Sequence, residues 1–282
     1  MAGRLFVVAT PIGNLGDITL RAIETLRTVN RVIAEDTRRT RALLSHLGIS
    51  GKPVERFDAH AEEADIARVL ARLGEGDEIA LVTDAGTPVV SDPGAQLIRA
   101  AAEHGAVVVP IPGASAVMAA ITISGLVAGG FRFVGFLPRG GPERREAMAL
   151  IAATPEAVVL FESPQRLVAT LADLAQVMPD REAVIARELT KVHEEAARGT
   201  LASFAALKEQ EWLGEVTLVL GPQAIKGAPS LGEEEIDARI DEGLRAGRRA
   251  KDVAETLALE TGRPKRELYA RVIARRTIDT RS

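Results

Sequence analysis

Short apolar runs bounded by turn residues alternate along this chain with longer segments whose apolar positions recur every three or four residues. The runs Arg4–Ala9, Arg31–Ala34, Val54–Phe57, Glu78–Val82 and Val107–Ile111 read as strands. Between them, Thr19–Val29, Thr37–Leu47, Ala61–Leu73 and Pro93–His104 read as helices. In the third helix Ile66, Val69, Leu70 and Leu73 share one face and leave Glu62, Glu63, Arg68 and Arg72 for solvent. Such alternation implies a largely parallel sheet covered on both faces.

A second block starts near Phe131. Its expected strands are Phe131–Phe136, Ala157–Glu162, Ala183–Leu189 and Glu215–Leu220, and its helices Pro142–Ala152, Pro164–Met178 and Leu201–Glu209. An uncharged helix, Ala114–Val127, joins the blocks. Lys226–Gly232 has a linker's composition. Beyond it lie three short amphipathic helices, Glu233–Ala246, Ala250–Glu260 and Pro264–Arg276, the last two spaced like a helix-turn-helix. The expected organisation is an α/β domain over 1–120, a second α/β domain over 121–225 and a helical tail over 233–282.

Composition trims the possibilities. A length of 282 residues favours about two domains. Aromatic residues make up only 3%, so the core rests on Ala, Val, Leu and Ile. The absence of cysteine excludes disulfides, iron–sulfur clusters and thiolate zinc. His46, His60, His104 and His193 lie far apart, so no metal site is expected. The uncharged stretch Gly105–Phe131 is broken by Pro110, Pro112 and Gly113, short of the ~20 apolar residues of a membrane span. Arg4 is followed by too short an apolar run for a secretory signal. A soluble, cytoplasmic protein is the expectation. The net charge of −4 is uneven: from Ala238 onward 12 Lys/Arg face 7 Asp/Glu. A basic tail on an acidic body suits a polyanionic partner, or simply a solvated helical face.

Four loops at strand ends are richer than connection requires. The first is Ala9-Thr-Pro-Ile-Gly-Asn-Leu-Gly-Asp17, whose glycines permit close backbone approach. It is neither G-x-G-x-x-G nor a Walker A sequence, so nicotinamide and P-loop chemistry lack support. The second, Glu35-Asp-Thr-Arg-Arg-Thr-Arg41, sets two carboxylates beside three arginines, and also reads as a helix cap with a salt-bridged first turn. The third runs from Asp84 to Gly94, closing with Asp92-Pro93 as a helix cap and first helical residue. The fourth is Pro110-Ile-Pro-Gly-Ala-Ser-Ala116. If all four end at one sheet edge they enclose one cleft, with the second block as its other wall.

Taken in order, Ala-Thr-Pro-Ile-Gly-Asn-Leu-Gly-Asp, Ala-Glu-Asp-Thr-Arg, Asp-Ala-Gly-Thr-Pro-x-x-Ser-Asp-Pro-Gly and Pro-Gly-Ala-Ser-Ala resemble the tetrapyrrole-methylase-like methyltransferases. Within them the chain is similar to the branch that 2′-O-methylates a cytidine ribose in the decoding region of 16S rRNA. Gly135-Phe-Leu-Pro138, Phe161-Glu-Ser-Pro164, Ala186-Arg-Glu-Leu-Thr-Lys191 and Gly214-Glu215 agree. The resemblance implies two α/β domains with S-adenosylmethionine in the cleft between them, a helix-turn-helix-like tail, a homodimer, and the small ribosomal subunit as partner. On that pattern Pro11, Ile12, Asp84, Gly86, Thr87, Ser115 and Ala116 line the cofactor pocket, with Phe161, Glu188 and Glu215 as candidates from the second domain.

A ribose hydroxyl is a poor nucleophile while protonated, so a base or hydrogen-bond acceptor is expected within reach. Glu35, Asp36, Glu162 and Glu188 are candidates, and Lys191 is one only with a lowered pKa. Arg38, Arg39 and Arg139 near the cleft, with Lys265, Arg266, Arg271 and Arg275 of the tail, are the expected RNA contacts. The chain departs from the family pattern at Ala61 and Gln165, where Asn and His are usual. Two other readings remain: a methyltransferase of the same fold acting on a tetrapyrrole or a modified protein residue, and a DNA-binding regulator using Ala250–Arg276.

Overall fold

The computed structural model describes residues 3–58, 60–90, 94–207, 212–223, 232–261 and 263–279. They fall in two compact units, Met1–Pro222 and Gln223–Ser282.

The first unit opens with strands β1 (Arg4–Val8), β2 (Arg31–Ala34), β3 (Val54–Arg56), β4 (Glu78–Val82) and β5 (Val107–Ile111). All pair in parallel, in the order β3-β2-β4-β1-β5. The pleat sends alternate side chains to opposite faces. Phe6, Val8, Val32 and Ala80 meet helices α1 (Leu20–Thr28) and α2 (Thr37–His46) on one face. Leu5, Ile33, Ile79 and Leu81 meet α3 (Glu63–Gly74) and α4 (Ala95–Glu103) on the other. This is the parallel sheet covered on both sides that the alternation predicts. It also creates a switch point: the chain leaves neighbouring strands β1 and β4 toward opposite faces. The crevice between such diverging connections is where open α/β sheets hold ligands.

Helix α4 begins later than expected. Gly94, with φ 122°, is its N-cap, and Ala95 its first residue. Asp92 and Pro93, expected to cap and open it, lie outside the described residues, as do residues 226–231 of the expected linker.

Helix α5 (Ala116–Ser124) carries the chain to a second sheet: β6 (Phe131–Phe136), β7 (Ala157–Glu162), β8 (Glu182–Arg187), β9 (Glu195–Thr200) and β10 (Val216–Leu220). Its order is β6-β7-β10-β8-β9, and only β6 and β7 run parallel. This second sheet is therefore mixed, whereas the first is wholly parallel. The cause is β9, a strand the sequence pattern misses. Its residues, Glu-Ala-Ala-Arg-Gly-Thr, lack an apolar run because the strand sits at the sheet edge. Val117 and Ala120 of α5 pack on Val159, Val184, Ala186 and Val219. The opposite face is covered by α6 (Gly141–Ala153), α7 (Pro164–Val177) and α8 (Leu201–Ala205). Arg181, buried beside this core, donates to the carbonyls of Gly221 (2.8 Å), Ile151 (3.0 Å) and Glu156 (2.7 Å).

The second unit contains α9 (Glu233–Arg245), α10 (Ala250–Thr261) and α11 (Lys265–Asp279) around Ile236, Ile240, Val253, Leu257, Leu268 and Val272. Among the described residues no helix is long and apolar enough to cross a membrane.

Candidate functional site

The loops after β1 and β4 are tied to each other by backbone. Thr10 and Gly86 exchange N–H···O bonds of 2.8 and 3.0 Å, and the Thr10 hydroxyl donates to the Thr83 carbonyl at 3.0 Å. Gly86 sits at φ 86°, and a Cβ there would come within 3.3 Å of the Ile12 side chain. Thr87 donates to the Ala114 carbonyl at 3.1 Å, which joins this pair to the loop before α5. Three of the four rich loops thus form one backbone assembly at the switch point.

Above it lies a cavity of about 440 Å³, a size ordinary for a small-molecule site. Ile12, Asp84, Gly86, Thr87, Ser115 and Ala116 line it from the first sheet's loops. Phe161 and Glu215 line it from the second sheet. Pro11, expected with them, is not among the lining residues. Of the two neighbouring side chains it is Ile12 that forms the wall. Two expected contacts use their hydroxyls elsewhere. Ser115 accepts the Met118 N–H as the N-cap of α5, and Thr87 holds Ala114. Thr87, whose O–H is donated to Ala114, therefore offers backbone and stem to a ligand more than a free donor.

Asp84 is held on both oxygens. Its Oδ1 accepts the Asp36 N–H at 3.0 Å, and its Oδ2 lies 3.5 Å from Arg39 Nη1. Glu35 lines the same cavity. Asp36 does not. It is the N-cap of α2, accepting the Arg38 N–H at 2.8 Å and pairing with the Arg38 guanidinium. Those bonds hold its carboxyl below the usual aspartate range, with the Arg38 side chain the foremost cause.

The other proton-transfer candidates are also placed. Glu162 borders the cavity, but its side chain is buried and spent, accepting from Ser163 N (2.9 Å) and Thr170 Oγ1 (2.7 Å). Glu188 and Lys191 lie behind the wall. Lys191 Nζ bridges Glu188 at 2.9 Å and Glu215 at 3.2 Å, and Glu188 Oε1 also accepts the Glu215 N–H at 3.0 Å. Burial alone would lower the lysine's pKa. The two carboxylates outweigh it and raise it, so Lys191 stays an ammonium. Lys191 and the Glu215 N–H, in that order, draw Glu188 below the ordinary glutamate range. Gly214, at φ 80°, makes room for this cluster: a Cβ there would fall 2.1 Å from Glu188 Oε1.

Phe136, Val90 and Val117 line the cavity without having been expected there, and Phe136 belongs to an aromatic cluster. Phe136 and Phe161 rings meet at 5.4 Å, and Phe133 meets Phe161 edge-on at 5.0 Å. Gly214 also lines the cavity. Phe136 ends strand β6 and is largely exposed.

The expected RNA contacts divide. Arg38, Arg39 and Arg139 are exposed on the first unit. In the second unit Lys265 pairs with Glu255, Arg271 with Glu233 and Asp237, and Arg275 with Asp237 and Asp241. Arg266 is exposed. The basic excess of the tail also shrinks once its fold is known. The compact unit includes the acidic start of α9, so thirteen Lys/Arg face eleven Asp/Glu across it.

A two-sheet fold with a cavity at the switch point defines a class, and comparison agrees. The family model for Tetrapyrrole (Corrin/Porphyrin) Methylases matches residues 4–205. The solved structure of uroporphyrin-III C-methyl transferase from Thermus thermophilus, complexed with S-adenyl homocysteine, shares the fold at TM-score 0.55 and 20% identity. It covers 78% of this chain and 97% of its own. A Synechocystis sp. protein named ribosomal RNA small subunit methyltransferase I is 42% identical, over 95% of this chain and 96% of that protein. A Thermotoga maritima protein of the same name is 44% identical over 77% of this chain and 98% of its own length. The chain belongs to the family of ribosomal RNA small subunit methyltransferase I, within the tetrapyrrole methylases.

Proposed function

We propose that this chain uses S-adenosylmethionine to methylate ribosomal RNA of the small subunit, at the 2′-hydroxyl of a cytidine ribose in the decoding region of 16S rRNA. Family membership supports the substrate class. The observation that carries the reading is the cavity at the switch point, where Asp84 and Glu35 stand beside backbone loops and an aromatic wall. Its residues fit the donor. Ile12, Val117, Phe136 and Phe161 suit an adenine and a thioether chain, and the carboxylates suit hydroxyls and a cation. When bound, S-adenosylmethionine supplies an electrophilic methyl group on a sulfonium.

The chain's own residues do the rest. The Thr10–Gly86 and Thr87–Ala114 bonds hold the cavity floor in place before any ligand arrives. Orientation of this kind accounts for much of the rate of an in-line transfer. The aromatic wall offers the donor an apolar surface. Asp84, fixed by Asp36 N–H and Arg39, presents negative charge to a cationic ligand. Of the two candidate bases that line the cavity, Glu162 is buried and bonded to Ser163 and Thr170, which leaves Glu35. Its carboxylate is assigned to accept the hydroxyl proton.

The relative from Thermotoga maritima bears on the tail. It aligns over 219 residues and 98% of its length, close to the 222 residues of the first unit. That supports placing chemistry in the first unit and an accessory role, added RNA affinity, in the second. The protein is proposed to act in the cytoplasm as a homodimer, and sedimentation equilibrium is expected to give twice the 29.9 kDa chain mass.

Incubation with radiolabelled S-adenosylmethionine and, separately, undermethylated small subunits, naked rRNA, a uroporphyrinogen and duplex DNA tests the assignment. Label is expected on the subunits or rRNA, at a ribose oxygen. Label on the porphyrinogen alone would replace the reading with a tetrapyrrole one.

A further inference from the structure

A second cavity, of about 550 Å³, adjoins the first. Glu35 and Asp84 line both, so one wall serves two spaces. The second space is otherwise unlike the first. Asp36 and Arg38 line it from the start of α2, and Arg56 and Asp58 from the end of β3 and the residues beyond.

Its charges are layered. The Arg38 side chain is 88% exposed and pairs with Asp36, which is 27% exposed. Arg56 is 73% exposed and pairs with Asp58, which is 13% exposed. In both pairs the guanidinium stands at the rim and the carboxylate beneath it forms the floor. A guanidinium carries five N–H donors, so one anchored along an edge keeps others for a second anion. Asp58 also accepts the His60 N–H at 2.9 Å, which fixes the floor in turn.

The geometry points to this second cavity as the acceptor subsite, seating one nucleotide of an RNA strand with its phosphodiester on Arg56 and Arg38 and its ribose hydroxyl toward Glu35. The inference rests on the rRNA reading above. A nucleotide within a strand is anionic at its phosphodiester and a hydrogen-bond donor at its 2′-hydroxyl and, in cytosine, at its exocyclic amine. A cationic rim over a carboxylate floor offers the complementary order. A ligand bearing several carboxylates of its own would meet four acidic side chains inside, Glu35, Asp36, Asp58 and Asp84. The shared wall supplies the remaining requirement. A hydroxyl seated against Glu35 from the second cavity faces whatever the first cavity holds.

The test uses the full chain as wild type, Arg56→Ala, Arg56→Lys and Arg38→Ala. Three quantities are read: S-adenosylhomocysteine affinity by calorimetry, KM and kcat for undermethylated small subunits, and the salt dependence of RNA binding. Each alanine variant is expected to keep S-adenosylhomocysteine affinity within about twofold while KM rises about tenfold, as for a lost charge-assisted contact. The plot of log affinity against log salt should become shallower by about one, and Arg56→Lys should restore it. Unchanged KM and salt slope in both alanine variants would overturn the assignment. Equal losses of S-adenosylhomocysteine and RNA affinity would overturn it too, since the two cavities would then not act separately. Failure of the rRNA reading is distinguishable, because there the wild type itself transfers no label to RNA.

Discussion

The Asp84 carboxylate accepts the backbone N–H of Asp36 at 3.0 Å, so a residue of the loop just past β4 fixes the start of helix α2. That bond needs an oxygen, whereas attraction to a sulfonium needs a charge. Asp84→Asn keeps the first and removes the second. It is expected to weaken S-adenosylmethionine binding about tenfold or more, and S-adenosylhomocysteine, which lacks the positive sulfur, distinctly less. Asp84→Ala should lose both functions and also unfold more readily, by about 1 kcal/mol. Calorimetry with the two ligands and urea unfolding check the pair. Equal losses for both ligands in the asparagine variant would remove the charge from the account.

Gly86→Ala places a Cβ 3.3 Å from the Ile12 side chain at a backbone φ of 86°. The conformation alone should cost about 1–2 kcal/mol. Because Gly86 is bonded to Thr10 on both sides, the strain should also appear as weaker S-adenosylhomocysteine binding. A variant of wild-type stability and affinity would show that the loop relaxes freely.

Glu188 titrates below its ordinary range because Lys191 and the Glu215 N–H favour its charged form. Its contribution to stability is therefore full above the ordinary glutamate range and is lost as pH falls through the folded-state value. Glu188→Gln should be less stable than wild type near neutrality, and the gap should close in acid. Urea unfolding across that range gives the measurement. A gap that widens toward low pH would contradict the ion pair.

Arg181→Met removes three well-formed bonds, to the carbonyls of Gly221, Ile151 and Glu156. Each buried carbonyl left unpaired costs about 1–3 kcal/mol, so destabilisation of several kcal/mol is expected. Burial disfavours the charge itself and returns part of that. Thermal unfolding is the readout. A change under about 1 kcal/mol would mean that the carbonyls find other donors.

A chain ending at Pro222 keeps every residue that lines the two cavities. It should bind S-adenosylhomocysteine as the full chain does and bind RNA more weakly, most visibly at raised salt. The reduction should be modest, since Arg271 and Arg275 already serve acidic partners on α9. Equal RNA binding would leave the second unit with no part in it.

Much of this architecture is legible in the chain. The first sheet's strands show because they are buried on both faces and read as continuous apolar runs. Strand β9 does not show, because an edge strand of Glu, Ala, Arg, Gly and Thr carries no such run. Without it the antiparallel half of the second sheet cannot be inferred. The four loops are recognisable from residues unusual in short connections, and three of them meet at one backbone assembly. What sequence cannot supply is how each side chain is spent. Glu162 and Asp36 look like free carboxylates on paper, yet one is buried under Ser163 and Thr170 and the other caps a helix. Lys191 looks like a base and is held as a cation by two residues, one of them 24 positions away.

The reciprocal Thr10–Gly86 pairing makes the base of the donor cavity a fragment of sheet rather than a mobile loop. A surface built from main chain is blind to most point substitutions, whereas the arginine rim next door is made wholly of side chains. On the proposed reading, substitutions at that rim would alter what receives the methyl group while leaving the main-chain base of the first cavity unchanged.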